Sequence, residues 1–279
     1  MSSTFVQSTH PTNPATTASA AEAPVKSDVA ADPLTSAAAG PIPDVSHLVT
    51  EDDTPVDNLI QEKLQRFLVE SLYSSLKRGI PFLAAADVGI FYGLKQENSI
   101  VPDVMLSLGV SVPEDWSEQR KRSYFIWEFG KPPDVAIEIV SNKKGGELES
   151  KLQDYARIGI PYYVVFDPLE KLSPEILQIY QLRQGRYQRL QENWLQSLEL
   201  GLIVWEGEFE TKQYDRWLRW CDSEGNLLLT GNEKAQQAEE KLEQAEQQIA
   251  QERQRAEQER QRAERLAELL RSHNIAPDE

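Results

Sequence analysis

Cysteine is almost missing from this chain. Cys221 is the only one among 279 residues, so no disulfide can close within the chain, and a reducing compartment, the cytoplasm by default, is expected. Histidine is nearly as scarce: His10, His47 and His273 all lie outside the central segment. That excludes a histidine-rich zinc centre there and deprives a serine triad of its base. No apolar run approaches the roughly 20 residues of a membrane helix, and no basic-then-apolar signal pattern is present, so no membrane partner is expected. A Gly-x-x-x-x-Gly-Lys-[Ser/Thr] loop is also missing, which argues against nucleotide hydrolysis by a P-loop. Positive charge is short as well: 29 Lys and Arg stand against 45 Asp and Glu, a net charge of −16. A protein that simply coats nucleic acid should be basic.

The charge is unevenly spread. Residues 1–56 carry 1 basic and 7 acidic side chains, a net −6; 57–230 carry 20 and 26, a net −6; 231–279 carry 8 and 12, a net −4. The central segment is therefore only mildly acidic, and bound metal would offset part of that. DNA binding is compatible with this balance without being predicted by it. Residues 1–56 are rich in Ala, Ser, Thr and Pro and poor in large apolar residues. Such a stretch cannot offset its ordering entropy, and a disordered leader is expected. It has no arginine and several acids, unlike a transit peptide.

From residue 231 the character changes. Gln251 to Glu257 is repeated at once as residues 258–264. Ala235, Ala238, Leu242, Ala245, Ile249, Ala256, Ala263, Leu266 and Leu270 fall on alternating four- and three-residue steps, with Glu252 and Glu259 in two of the seam positions. This is a heptad seam of small knobs, expected to self-associate weakly. A single charged helix held by i,i+4 pairs is the other reading. Three parts are thus expected: a leader over 1–56, a folded domain over 57–230 and a charged helix over 231–279, with homo-oligomerisation through the domain or the helix.

Within the domain, one stretch stands out. Val135 to Val140 is apolar except for Glu138, and period-2 alternation puts Ala136, Glu138 and Val140 on one face of a strand. A carboxylate among apolar neighbours needs a cation, hydrogen bonds or a proton. Asp103 opens a second short strand, Asp103-Val104-Met105-Leu106. If the two strands are neighbours, two carboxylates can converge on one divalent metal. A loop with Gly145-Gly146 follows, then a helical run in which Lys151 borders the face of Leu148, Leu152, Tyr155 and Ile158. Taken singly, Asp103 after a proline also reads as a turn residue, and Lys151 as a solvated helix lysine.

The order acid, Glu-x-x, lysine resembles the PD-(D/E)XK nuclease pattern with the lysine moved to the following helix. Pro102-Asp103-Val104, Glu138 to Asn142, Lys151 to Gly159 and Tyr162 to Pro168 resemble the Uma-two family of restriction endonuclease-like proteins, from about Val56 to Gly231. The resemblance implies a restriction-endonuclease-like α+β (or α/β) fold, a mixed sheet flanked by helices. It implies Mg²⁺ or Mn²⁺ held by Asp103, Glu138 and the Ile139 carbonyl, with Lys151 as the catalytic cation and DNA as substrate. Glu62, on the first helix, is a secondary candidate, because in that superfamily a first-helix acid often points to the metal. A solvated helix glutamate is its bland reading.

The remaining segments are read from pattern. Asp57 to Lys77 has helical spacing, Phe82 to Tyr92 and Val101 to Leu108 read as strands, and Tyr162 to Phe166 reads as a buried strand. Strand, helix, strand in that order predicts a mixed sheet. Arg183-Gln184-Gly185-Arg186 predicts a hairpin, and Trp194, Trp205, Trp217 and Trp220 are read as core anchors. Arg120-Lys121-Arg122 offers a weak DNA phosphate contact or a solvated charge run. Two functions follow: a metal-dependent endonuclease, and a non-catalytic interaction scaffold that keeps the nuclease-like fold.

Overall fold

The first helix, α1 (Leu59–Ser75), starts where Asn58 accepts hydrogen bonds from the Ile60 and Gln61 N–H groups at 3.1 and 3.0 Å. That cap fixes where the helix starts and satisfies two of its end N–H groups. Its buried side is Leu64, Phe67, Leu68, Ser71 and Leu72, and it also contains Gln61 and Gln65. The computed structural model describes residue 44 and residues 58–95, 98–141 and 146–272. The expected leader apart from Asp44, the Asn142 to Gly145 part of the loop and all three histidines lie outside the described residues.

Six strands form the main sheet: β1 (Phe82–Ala86), β4 (Val104–Leu108), β6 (Val135–Ile139), β7 (Tyr162–Phe166), β8 (Leu177–Arg183) and β9 (Arg186–Arg189), side by side in that order. The sheet is mixed, as expected: β6 and β7 run parallel, joined through helix α3 (Ser150–Ile158), and the other neighbours are antiparallel. Alternation along the strands builds two cores. Val104, Leu106, Val135, Ile137 and Val164 face α1, while Met105, Ala136, Tyr163 and Val165 face Tyr155 of α3. The β8–β9 turn has Gln184 and Gly185 at φ 50° and 75°, the two left-handed positions of a type I′ hairpin.

The single strand expected over 82–92 is two. Asp87 adopts φ 52° and turns the chain out of β1. Beyond it, β2 (Ile90–Phe91) joins β3 (Ser99–Ile100) and β5 (Tyr124–Phe125) in a small separate sheet, and α2 (Ile126–Phe129) follows. A third sheet contains β10 (Trp194–Leu195), β11 (Leu200–Phe209) and β12 (Lys212–Cys221). It packs on α1. The Trp220 indole donates to the Leu68 carbonyl at 3.2 Å, and Trp217 is buried against Phe67. No helix among the described residues is long and apolar enough to cross a membrane.

The last helix, α4 (Gly231–Ser272), leaves this body and has no buried residue. Its root is fixed by a reciprocal box: the Thr230 N–H donates to Glu233 at 2.7 Å, and the Glu233 N–H to the Thr230 hydroxyl at 3.2 Å. Glu233 also takes both terminal nitrogens of Arg219, each at 2.7 Å. Arg219 is 2% exposed and lies over Phe67 and Trp205. Glu233→Ala would leave that cation buried and unpaired, and is expected to cost about 3 kcal/mol in urea unfolding. Deleting residues 240–272 should leave the midpoint unchanged while lowering the number of chains per sedimenting particle, because Leu242, Ile249 and Leu266 lie exposed on the helix. A lowered midpoint with an unchanged number of chains would contradict both halves.

Candidate active site

Two acids stand at the ends of neighbouring strands. In the β4–β6 ladder, Val104 is opposite Ile137; Asp103 immediately precedes Val104, and Glu138 immediately follows Ile137. The two carboxylates are near enough for their charges to repel. Both residues are buried, Asp103 at 8% and Glu138 at 2% exposure. The Ile139 N–H donates to Asp103 Oδ2 at 2.5 Å. The N–H and C=O of one strand residue point to the same edge, so the Ile139 carbonyl also faces β4.

A helix reaches each acid, one from either face of the sheet. From α1, Gln61 and Gln65 donate to Asp103 Oδ1 at 2.5 and 3.2 Å. They are four residues apart, one turn along the same stripe. From α3, Lys151 donates to Glu138 Oε2 at 2.7 Å and Tyr155 to Oε1 at 2.5 Å. They too are four residues apart. Burial of Leu148, Leu152 and Ile158 against the second core sets the roll of α3 that aims them.

Burial dominates the electrostatics. It raises Asp103 above the ordinary carboxylate value, against the Ile139 and Gln61 hydrogen bonds and the Lys151 charge. It pushes Glu138 up to about 7, opposed by Lys151 and reinforced by repulsion from Asp103. Burial would lower Lys151, but the Glu138 carboxylate outweighs it and holds the ammonium above its usual value. Glu138 and Lys151 therefore titrate as a coupled pair. Burial and the adjacent Glu138 raise the Tyr155 phenol far above its ordinary value, so it stays a donor.

Of the residues expected from sequence, Asp103, Glu138, Ile139 and Lys151 come together. Glu62 does not: it lies on the exposed side of α1, paired with Arg66 at 3.1 Å. Its neighbour Gln61 takes the inward position. Arg120 pairs with Glu118 and Glu128, Lys121 with Glu118 and Asp115, and Arg122 donates to the Trp116 and Ser117 carbonyls. This basic cluster is thus largely neutralised by its own loop. Missed at the level of sequence were Gln61, Gln65 and the role of Tyr155. The available signal was two glutamines one turn apart among the apolar positions of α1.

The oxygens fit a hard divalent cation. Among the described residues no group of three or more His, Cys, Asp or Glu side chains is disposed to hold a metal. Mg²⁺ needs fewer, since it keeps several waters and takes one or two carboxylates. Beside Asp103, Gln61 Oε1 is a buried acceptor without a hydrogen-bond partner among the described residues, an oxygen that a hydrated cation could satisfy.

A sequence profile of the Uma2 family, described as "Putative restriction endonuclease", matches residues 48–208, more than half of the chain. The chain belongs to the Uma2 family. Asp103, Glu138 and Lys151 all lie inside the matched span. A crystal structure of a "putative nuclease belonging to DUF820" from Anabaena variabilis ATCC 29413 is similar over 50% of this chain and 71% of its own, at 18% identity and a TM-score of 0.36. No curated protein matches the chain.

The titration of Glu138 has a consequence for stability. Its ordinary value is 4.5 and its buried value about 7, so the folded protein holds this proton more tightly than the unfolded chain. The stabilisation is complete below about pH 4.5 and is lost as pH rises through about 7. The loss is on the order of 3 kcal/mol. Urea unfolding over this window should therefore show a shallower decline for Glu138→Gln than for the wild type. Equal slopes would contradict a buried, titrating Glu138.

Proposed function

We propose that this Uma2 protein is a metal-dependent endonuclease of the PD-(D/E)XK type that hydrolyses phosphodiester bonds in DNA. One observation carries the reading: two buried carboxylates at adjoining strand ends, one of them bonded to a lysine from the following helix. Asp103, Glu138 and the Ile139 carbonyl would hold Mg²⁺ or Mn²⁺. When bound, the ion supplies Lewis acidity at phosphate oxygens and eases deprotonation of water. The rest of the work belongs to the chain. Gln61 and Gln65 hold the Asp103 carboxylate and Tyr155 that of Glu138, so the oxygens are oriented before substrate arrives. Lys151 would orient the attacking water or stabilise charge building on the phosphate. Arg120, Lys121 and Arg122 would add weak phosphate contacts once released from their acidic partners.

One observation favours the scaffold reading: both Glu138 oxygens are already hydrogen-bonded without any cation. Plasmid, linear and single-stranded DNA with Mg²⁺ or Mn²⁺ separate the two. Cleavage is expected for the wild type and a loss of at least about 10²-fold for Asp103→Asn and Glu138→Ala. Divalent metal should raise the melting temperature of the wild type by mass action and leave Glu138→Gln unmoved. A metal-insensitive wild type, with Glu138→Gln destabilised by about 1–3 kcal/mol through unpaired partners, would establish the scaffold instead.

A further inference from the structure

Access to Glu138 runs through Lys151. The Lys151 side chain is 28% exposed, whereas that of Glu138 beneath it is 2% exposed. The ammonium occupies Oε2 at 2.7 Å, and Tyr155 occupies Oε1. A cation arriving at Glu138 therefore meets the Lys151 ammonium at Oε2, and repulsion between the two positive charges drives the lysine off that oxygen. The displaced ammonium must then find a new anion, because a half-buried charge without a partner is costly.

Glu147 supplies that anion. It is 5% exposed, four residues before Lys151 in the turn that leads into α3, and its Oε1 is 3.8 Å from the lysine nitrogen. That is too long for a hydrogen bond. Its Oε2 is buried and has no hydrogen-bond partner among the described residues. Its backbone is held in place, since the Tyr163 hydroxyl donates to the Glu147 carbonyl at 2.9 Å. Lysine, by contrast, is a point charge on a flexible stem. A shift of Lys151 of about 1 Å toward Glu147 would turn the loose pair into a charge-assisted hydrogen bond. We propose that Glu147 is the second seat of the Lys151 ammonium: Lys151 moves from Glu138 to Glu147 when a divalent cation takes the Glu138 carboxylate. Glu147 is then a positioning residue, acting on the metal site only through Lys151. This rests on the endonuclease reading of Asp103 and Glu138.

The test is the coupling between the two residues, read as Mn²⁺ affinity by calorimetry without any DNA. Wild type, Glu147→Gln, Lys151→Gln and the double variant are compared, with circular dichroism as the check on folding. With Lys151 present, Glu147→Gln should weaken Mn²⁺ binding about tenfold; in the Lys151→Gln background it should weaken it no more than about twofold. Equal losses in both backgrounds would make Glu147 a direct ligand or a plain field effect and overturn the proposal, as would no loss in either. Glu147→Asp, with Lys151 intact, keeps an anion within reach and should retain affinity within about threefold. Affinity as low as that of Glu147→Gln would overturn the proposal even if the Lys151 variants fail to fold. A folded wild type that takes up no Mn²⁺ would overturn the endonuclease reading first and this inference with it. Normal wild-type uptake without coupling would overturn this inference alone.

Discussion

A carboxylate near the end of a fully buried strand is the costliest feature among the described residues. Glu138 lies between the buried Ile137 and Ile139 on β6 and opposite the buried Val165 on β7. Removing a charge from water in such a place costs several kcal/mol. Lys151, Tyr155 and the raised affinity of Glu138 for its proton all offset that cost. Under the proposed endonuclease reading, a divalent cation would take over part of that role.

The rest of the fold can be followed outward from that point. Asp103 stands beside Glu138 because β4 is the antiparallel neighbour of β6. Lys151 and Tyr155 reach it because β6 returns through α3 to a parallel neighbour, β7, which places α3 over one face. Gln61 and Gln65 reach Asp103 from the other face on α1. The third sheet in turn holds α1: Trp220 bonds the Leu68 carbonyl, and Arg219 covers Phe67. The C-terminal strands thus act on the site at one remove, by fixing the roll of the helix that bears the glutamines.

Much of this was legible in the sequence. A lone glutamate in an apolar run, an acid opening a second run and a lysine on the packed edge of a helix are each local patterns, and strand alternation put Glu138 on one face with Ala136 and Val140. What was not legible depended on tertiary contact. Glu62 and Gln61 are adjacent, and only the packing of α1 on the sheets decides that the amide turns inward and the acid outward. The basic run at 120–122 read as available charge because its partners Asp115, Glu118 and Glu128 are brought to it only by folding of the loop. The break at Asp87 was hidden because β2, β3 and β5 are two residues long, too short to leave a periodic trace. Tyr155 looked like a packing residue, and it is one, its ring tilted against Tyr163 with centroids 4.8 Å apart. Its hydroxyl does the additional work of holding Glu138.

The measurement closest to the centre of this description is a site-resolved carbon NMR titration of the Glu138 carboxyl, with and without Mg²⁺. Without metal the midpoint should lie near 7, well above the ordinary 4.5. With Mg²⁺ it should fall below its metal-free value, because the bound cation favours the anion. A midpoint at the ordinary value, unmoved by Mg²⁺, would mean that Glu138 is neither strained by burial nor a ligand, and would contradict the organisation of the site described above.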